Sequence, residues 1–100
     1  MMLLHEIAHC RAGDKGDIST LSLFAHDDAD YELLRREVTA DRVRAHLAGR
    51  VRGEVLRYEL PLLCALQFVC HQALDGGVTT SLALDTHGKT LGHRLLALVL

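Results

Sequence analysis

The sequence predicts an α+β fold, a two-layer sandwich in which helices cover one face of a four-stranded mixed sheet, ferredoxin-like in the loose sense. The main observation is the order of patterns along the 100 residues: strand, strand, helix, strand, helix, strand, helix. Half of the residues are hydrophobic and Trp is absent, so Leu, Val and Ala must fill the core. Such a core suits helices packed on a sheet, which agrees with the predicted fold. A chain of this length forms one domain, here residues 1–100.

Two strands are predicted first, over residues 3–10 and 18–25. Helices follow where capping residues precede apolar positions at helical spacing. Asp27 or Asp28 caps a helix that runs to about Glu37. Thr39 caps a second helical segment that stops at Gly49, so the region is one bent helix or two short ones.

The second half of the chain begins with a half-exposed strand over Val55–Leu60, where apolar and charged residues alternate. A helix is predicted from Pro61 to Leu74, since proline favours the first turn and Gly76-Gly77 ends the apolar run. A strand is expected over residues 79–84. From Thr90 the apolar positions have helical spacing, although the last residues could equally form a short strand.

Composition limits the classes of function. The formal net charge is −2 and the basic residues are interleaved with acidic ones, which disfavours nucleic-acid binding. Glu6 comes too early for a signal peptide, and no apolar run is long enough to cross a membrane. The three cysteines have no disulfide or zinc spacing. These features predict a cytoplasmic protein with reduced thiols.

The charged loop between the first two strands is the strongest candidate for a functional site. Glycine permits unusual backbone conformations, and the loop carries more charge than a hairpin turn needs. It could bind an anion through backbone amides and cations, hold a hard cation between aspartates, or use Lys15 as a base. A salt-bridged structural turn is equally consistent with the spacing. The candidate ligand-binding residues are Arg11, Gly13, Asp14, Lys15, Gly16 and Asp17.

A second candidate lies in the predicted helix from Pro61 to Leu74. Helical spacing would align Cys64, Gln67, His71 and Asp75 as a polar stripe on an apolar cylinder. Gln67 and His71 would then line a pocket or a subunit seam, or simply face solvent. The apolar remainder of the helix predicts contact with another chain.

Other clusters favour structural roles. His5 and His9 share a face of the first predicted strand and could bind a metal with a loop aspartate, but ordinary packing is the favoured interpretation and no metal site is predicted. A run of arginines could recognise an acidic group, although a solvated surface is the default. These arginines are Arg42, Arg44, Arg50, Arg52 and Arg57.

Five stretches taken together resemble a known family, the small AtuA-like domain of acyclic terpene utilisation proteins. The stretches, in chain order, are RAGDKGD, TADRV, RYELP, ALQFV and ALDGGVTTSLALDTHGKTL. The resemblance covers nearly the whole chain. It implies a ferredoxin-like fold and either fusion to a much larger domain or a separate small protein beside it, and this chain looks like the free-standing form.

The resemblance also carries expectations about function. The family's characteristic loop falls on residues 11–17. At two positions the family differs from this chain: it usually has an Asn in place of Gln67 and often has an Asn in place of Asp17. The resemblance implies a large AtuA-type partner chain and a role in the catabolism of branched terpenoid acids as coenzyme A esters. The alternative is a non-catalytic binding module that forms a homo-oligomer. Neither a catalytic residue nor a cofactor is predicted.

Overall fold

Four antiparallel strands form the sheet of the computed structural model, which describes residues 2–73 and 89–100. The strands are β1 (Ala8–Lys15), β2 (Ile18–Ala25), β3 (Val55–Leu60) and β4 (Ala65–Cys70). Their order across the sheet is β1-β2-β4-β3, so β2 and β4 are central. The α+β class is confirmed. The pairing in the described residues is antiparallel where a mixed sheet was predicted, and the predicted strand 79–84 lies outside those residues.

Three helices of the described residues pack on one face of this sheet. They are α1 (Tyr31–Glu37), α2 (Ala40–His46) and α3 (Lys89–Leu96). Leu34 of α1, Val43 of α2 and Leu95 of α3 are fully buried in the same apolar cluster as Leu21 and Phe68 of the sheet. The opposite face of the sheet has no helix against it in the described residues, and His9, Arg11 and Tyr58 on that face are exposed.

The predicted N-capping residues Thr39 and Asp27 are confirmed. The Thr39 hydroxyl accepts a hydrogen bond from the backbone N–H of Arg42 at 3.2 Å and so caps α2. The Asp27 carboxylate accepts from the N–H of Ala29 at 3.1 Å and begins a 3₁₀ turn, Asp28–Asp30, that leads directly into α1. The region therefore contains two short helices.

The first predicted strand, over residues 3–10, is wrong in its position. Leu4–Glu6 form a 3₁₀ turn, and β1 begins only at Ala8. The Glu6 carboxylate folds back to accept the Leu3 backbone N–H at 2.7 Å, which stabilises the turn against extension. β1 then continues to Lys15 through most of the predicted loop.

The predicted helix from Pro61 to Leu74 is also wrong. Pro61 begins a single 3₁₀ turn, which Cys64 ends in the left-handed region at φ 49°. The chain then enters β4, a central strand that is bonded to a neighbour on each side. Such a strand is apolar along most of its length, so its sequence pattern resembles that of a buried helix.

The polar stripe predicted on that helix therefore does not exist. Gln67 lies within β4, Cys64 lies in the turn before it, and His71 follows its last residue. Asp75 lies outside the described residues. Because the apolar helix is absent, it gives no argument for a partner chain.

The C-terminal segment contains both the predicted helix and, after it, an extended bridge, so the two predicted alternatives occur one after the other. The helix α3 ends at Leu96, and Val99 then forms an isolated antiparallel bridge with Leu3. The Leu4 N–H donates to the Leu98 carbonyl at 2.8 Å, which holds the two ends of the chain together. No helix among residues 2–73 and 89–100 is long and apolar enough to cross a membrane.

Two arginines of the basic run hold elements together instead of facing solvent. The Arg57 guanidinium donates to the backbone carbonyls of Arg35 at 2.8 Å and Val38 at 2.9 Å, which ties β3 to the end of α1. The Arg42 guanidinium donates to the carbonyl of Glu37 at 3.0 Å and also reaches the carbonyl of Val99. The default of a solvated surface is therefore wrong for this pair.

Replacing Arg57 by Met should destabilise the fold. Arg57→Met keeps the apolar stem but removes the donors for two carbonyls, and a lost charged hydrogen bond costs about 1.5–3 kcal/mol. Arg44→Met is the matched control, because Arg44 lies on α2 and is exposed. Urea unfolding followed by circular dichroism should show a lower midpoint for Arg57→Met only. Equal midpoints would refute the bridging role.

Candidate ligand-binding surface

The predicted charged loop is mostly a strand that ends in a two-residue turn. Arg11–Lys15 pair with β2, and only Gly16 and Asp17 lie between the paired residues Lys15 and Ile18. Gly16 has φ 63°, as the first central residue of a type II′ hairpin turn requires. The charge of this segment therefore lies along a strand at the edge of the described sheet and not around a loop.

Alternation along β1 divides the candidate residues between the two faces. Arg11 is paired with Ser22, which lies between the buried Leu21 and Leu23 and therefore faces away from the core. Arg11, Gly13 and Lys15 thus share the uncovered face. Asp14 lies on the helix-covered face, opposite the fully buried Ser19. A single site containing all six predicted loop residues is therefore not formed.

The strand register aligns one polar residue from each strand across the uncovered face. Arg11 pairs with Ser22, Ser22 with Gln67, and Gln67 with Tyr58. Adjacent strands are about 4.8 Å apart, so this polar row spans roughly 14 Å. Within the described residues, none of the four side chains makes a hydrogen bond or an ion pair. The polar row thus offers a guanidinium, a hydroxyl, an amide and a phenol to a ligand.

Apolar and aromatic side chains lie beside the polar row. On one side, His9 of β1 stacks on Phe24 of β2 with ring centroids 5.2 Å apart, and His26 stacks on His9 at 5.5 Å. On the other side, Val69 pairs with Leu56. The uncovered face therefore has a polar row along its middle, with aromatic rings on one side and the apolar pair Val69 and Leu56 on the other.

His71 lies near the Gly16–Asp17 turn, at the end of the sheet. Gln72 has φ 53°, a strained conformation for a residue other than glycine, and it directs the chain toward this turn. The Ala73 N–H then donates to the Asp17 carbonyl at 2.8 Å. Gln67 is four residues before His71, roughly 13 Å along an extended chain. The two residues predicted to share a pocket therefore belong to different parts of the surface.

Burial holds the thiols of Cys10 and Cys70 in the neutral form. Burial raises the pKa of Cys10 from 9.0 to about 12 and that of Cys70 from 9.0 to about 11. Burial also raises the pKa of Cys64. A thiol with so high a pKa stays protonated at neutral pH and cannot attack an electrophile. In the described part of the chain, no group of three or more His, Cys, Asp or Glu residues is placed to hold a metal.

The comparison with family models gives a match over residues 2–100, to the AtuA ferredoxin-like domain. The chain belongs to the AtuA ferredoxin-like domain family. The comparisons with curated proteins and with solved structures found no match. The family assignment and the observed sheet agree with the resemblance that the sequence motifs predicted.

Two residues of the polar row in this AtuA ferredoxin-like domain were missed by sequence reasoning. Ser22 lay in a correctly predicted strand but has no charge to attract notice. Tyr58 lies in the correctly predicted β3, on the face opposite Arg57. The alternation around Ser22 indicated its face, but that around Tyr58 did not, because β3 turns the charged Arg57 and Glu59 toward the helices. The sequence also did not indicate which strands are neighbours.

The turn glycine should be essential for stability, whereas the strand glycine should not. Gly16→Ala places a Cβ at φ 63°, where the left-handed conformation costs about 1–2 kcal/mol. Gly13→Ala is the control, because an added Cβ at Gly13 meets no described atom within 4 Å. Thermal unfolding should give a lower Tm for Gly16→Ala and an unchanged or higher Tm for Gly13→Ala. The reverse order would contradict the turn assignment.

Alkaline pH should weaken the fold through Cys10. The folded-state pKa of about 12 exceeds the ordinary 9.0, so this stabilisation is complete below pH 9 and is lost as pH rises toward 12. The loss is at most about 1.4 kcal/mol per pH unit for one thiol. The free energy of unfolding measured between pH 8 and pH 10.5 should fall more steeply for the unmodified domain than for Cys10→Ser, in which this titration is removed. Parallel slopes would contradict the burial of the thiol.

Proposed function

We propose that this AtuA ferredoxin-like domain is the small subunit or accessory domain of an AtuA-type complex that takes part in the catabolism of acyclic terpenoid or branched acids, as coenzyme A esters. The hairpin of residues 11–17 and the polar row beside it contribute to a site that a large AtuA-type chain completes. The proposed location is the cytoplasm.

The polar row is the observation that carries this proposal. Arg11, Ser22, Gln67 and Tyr58 are aligned on an accessible face, and within the described residues their hydrogen-bonding groups are uncommitted. An open sheet face does not enclose a ligand, whereas small-molecule sites are concave. The polar row therefore needs a second surface above it, and a partner chain supplies one.

Exposed apolar residues at one end of the same sheet support a protein partner. Leu62 is completely exposed and Leu63 is 61% exposed, both in the turn between β3 and β4. With Glu59, Leu60 and Pro61 they line an apolar hollow of about 360 Å³. Large apolar side chains grouped on a surface are typical of protein interaction sites. This corner replaces the predicted apolar helix as the argument for a partner.

The test is co-purification from the native host under gentle conditions, followed by growth on an acyclic terpenoid as the carbon source. We expect a large AtuA-type chain to accompany the tagged domain. Arg11→Gln and Gln67→Leu should slow growth without releasing the large chain, because these residues face the shared site. Arg44→Gln is the surface control and should grow normally. Recovery of the small chain alone, with normal growth of both variants, would refute the proposal.

A second candidate is a non-catalytic module that forms homo-oligomers through the exposed leucines. Leu62 would then be covered by another copy of the same chain. Light scattering coupled to size exclusion separates the candidates: the purified domain should be monomeric if a different chain covers Leu62. A stable oligomer that Leu62→Asp dissociates, and that does not exchange with the large chain, would favour the second candidate.

A further inference from the structure

A cleft runs along the edge of β1 that is unpaired in the described residues, between this strand and α3. Its volume is about 270 Å³, and its lining comes from three consecutive residues of β1 and from one side of α3. The residues that line it are Cys10, Arg11, Ala12, Gly92, His93 and Leu96. The cleft is separate from the apolar hollow beside Leu62, which lies next to the opposite edge strand.

Gly92 sets how closely the two walls approach. A Cβ on this residue would lie 3.3 Å from the Cys10 sulfur, which is tighter than ordinary van der Waals contact. α3 therefore packs onto β1 through a helix position without a side chain. The inner surface of the cleft is made by Cys10, Ala12 and Leu96, and burial keeps the Cys10 thiol neutral. The floor is thus apolar and uncharged.

The rim of the cleft has the opposite character. Arg11 belongs to the uncovered face, but β1 is at the edge of the described sheet, and Arg11 also lines the cleft there. Arg11 and His93 on the helix are both exposed, and within residues 2–73 and 89–100 neither side chain has a hydrogen-bonding or ionic partner. Among the described residues that line the cleft, none is a carboxylate. A guanidinium binds a carboxylate through two parallel hydrogen bonds, and an imidazole can donate a further one. The rim therefore favours an anion over a cation or a neutral molecule.

We propose that this cleft binds a small monocarboxylate with a short apolar chain. The carboxylate contacts Arg11 and His93, and the chain lies against Ala12 and Leu96. The volume is below the roughly 300–1,000 Å³ of sites for drug-sized ligands, which restricts the occupant to a short acid. This inference goes beyond the proposed function, because the cleft lies within one chain and needs no partner to be complete.

The proposal is tested on the purified domain by two-dimensional ¹H–¹⁵N NMR titration. Butyrate and hexanoate should shift the amide signals of residues 10–12 and 91–96 along saturable curves. Butyramide, which has the chain without the charge, lacks the charge-assisted contact, and inorganic phosphate, which has the charge without the chain, lacks the apolar contact. Each should therefore bind at least about tenfold more weakly than butyrate. Non-saturating shifts, shifts elsewhere, or equal binding of phosphate and butyrate would overturn it.

Matched variants assign the contacts. Arg11→Gln and His93→Gln should each weaken butyrate binding, the first by at least about tenfold. Lys15→Gln is the control for charge, because Lys15 lies on the same strand and the same face but outside the cleft. His5→Gln is the control for imidazole, being exposed and in a different element. Retained spectral dispersion shows that each variant is folded. If Lys15→Gln lowers affinity as much as Arg11→Gln, general attraction explains the binding and the site is refuted.

Discussion

The pairing of β4 with β2 on one side and β3 on the other is the constraint on which this structure depends. It joins the N-terminal hairpin to the second half of the chain and makes one sheet from two separate pieces. Because side chains alternate along a strand, the same register buries Leu66 and Phe68 against the helices and turns Gln67 to the opposite face. A shift by one residue would exchange the core with the polar row.

Elements with a clear period could be predicted from the sequence, and β4 could not. The strands β2 and β3 agree in their bounds because residue types alternate along both. In β2 the apolar residues face the helices, whereas in β3 Arg57 and Glu59 lie on the helix-covered face and Tyr58 lies on the uncovered one. β4 is a central strand whose uncovered face still carries Ala65 and Val69, so its sequence lacks the polar half of the alternation. Pro61 then suggested a helix start, although it begins only one short turn.

The candidate site was predicted in its parts but not in its arrangement. Arg11 and Gln67 were both singled out, yet they were assigned to a loop and a helix. Arg11 and Gln67 lie in one row because of the register between strands that are far apart along the chain. That register cannot be predicted from a single sequence. Glycine and charge marked the hairpin correctly because a tight turn has local requirements. Ser22 and Tyr58 carry no such local signal, since their role depends on what lies beside them.

The hydrogen bond from the Ala73 N–H to the Asp17 carbonyl has a mechanical consequence. It fastens the tip of the hairpin to the segment that leaves β4, so the two move as one unit while the bond lasts. Ala73 is itself buried in the apolar cluster, so this bond ties the hairpin tip to the core and not only to a neighbouring loop.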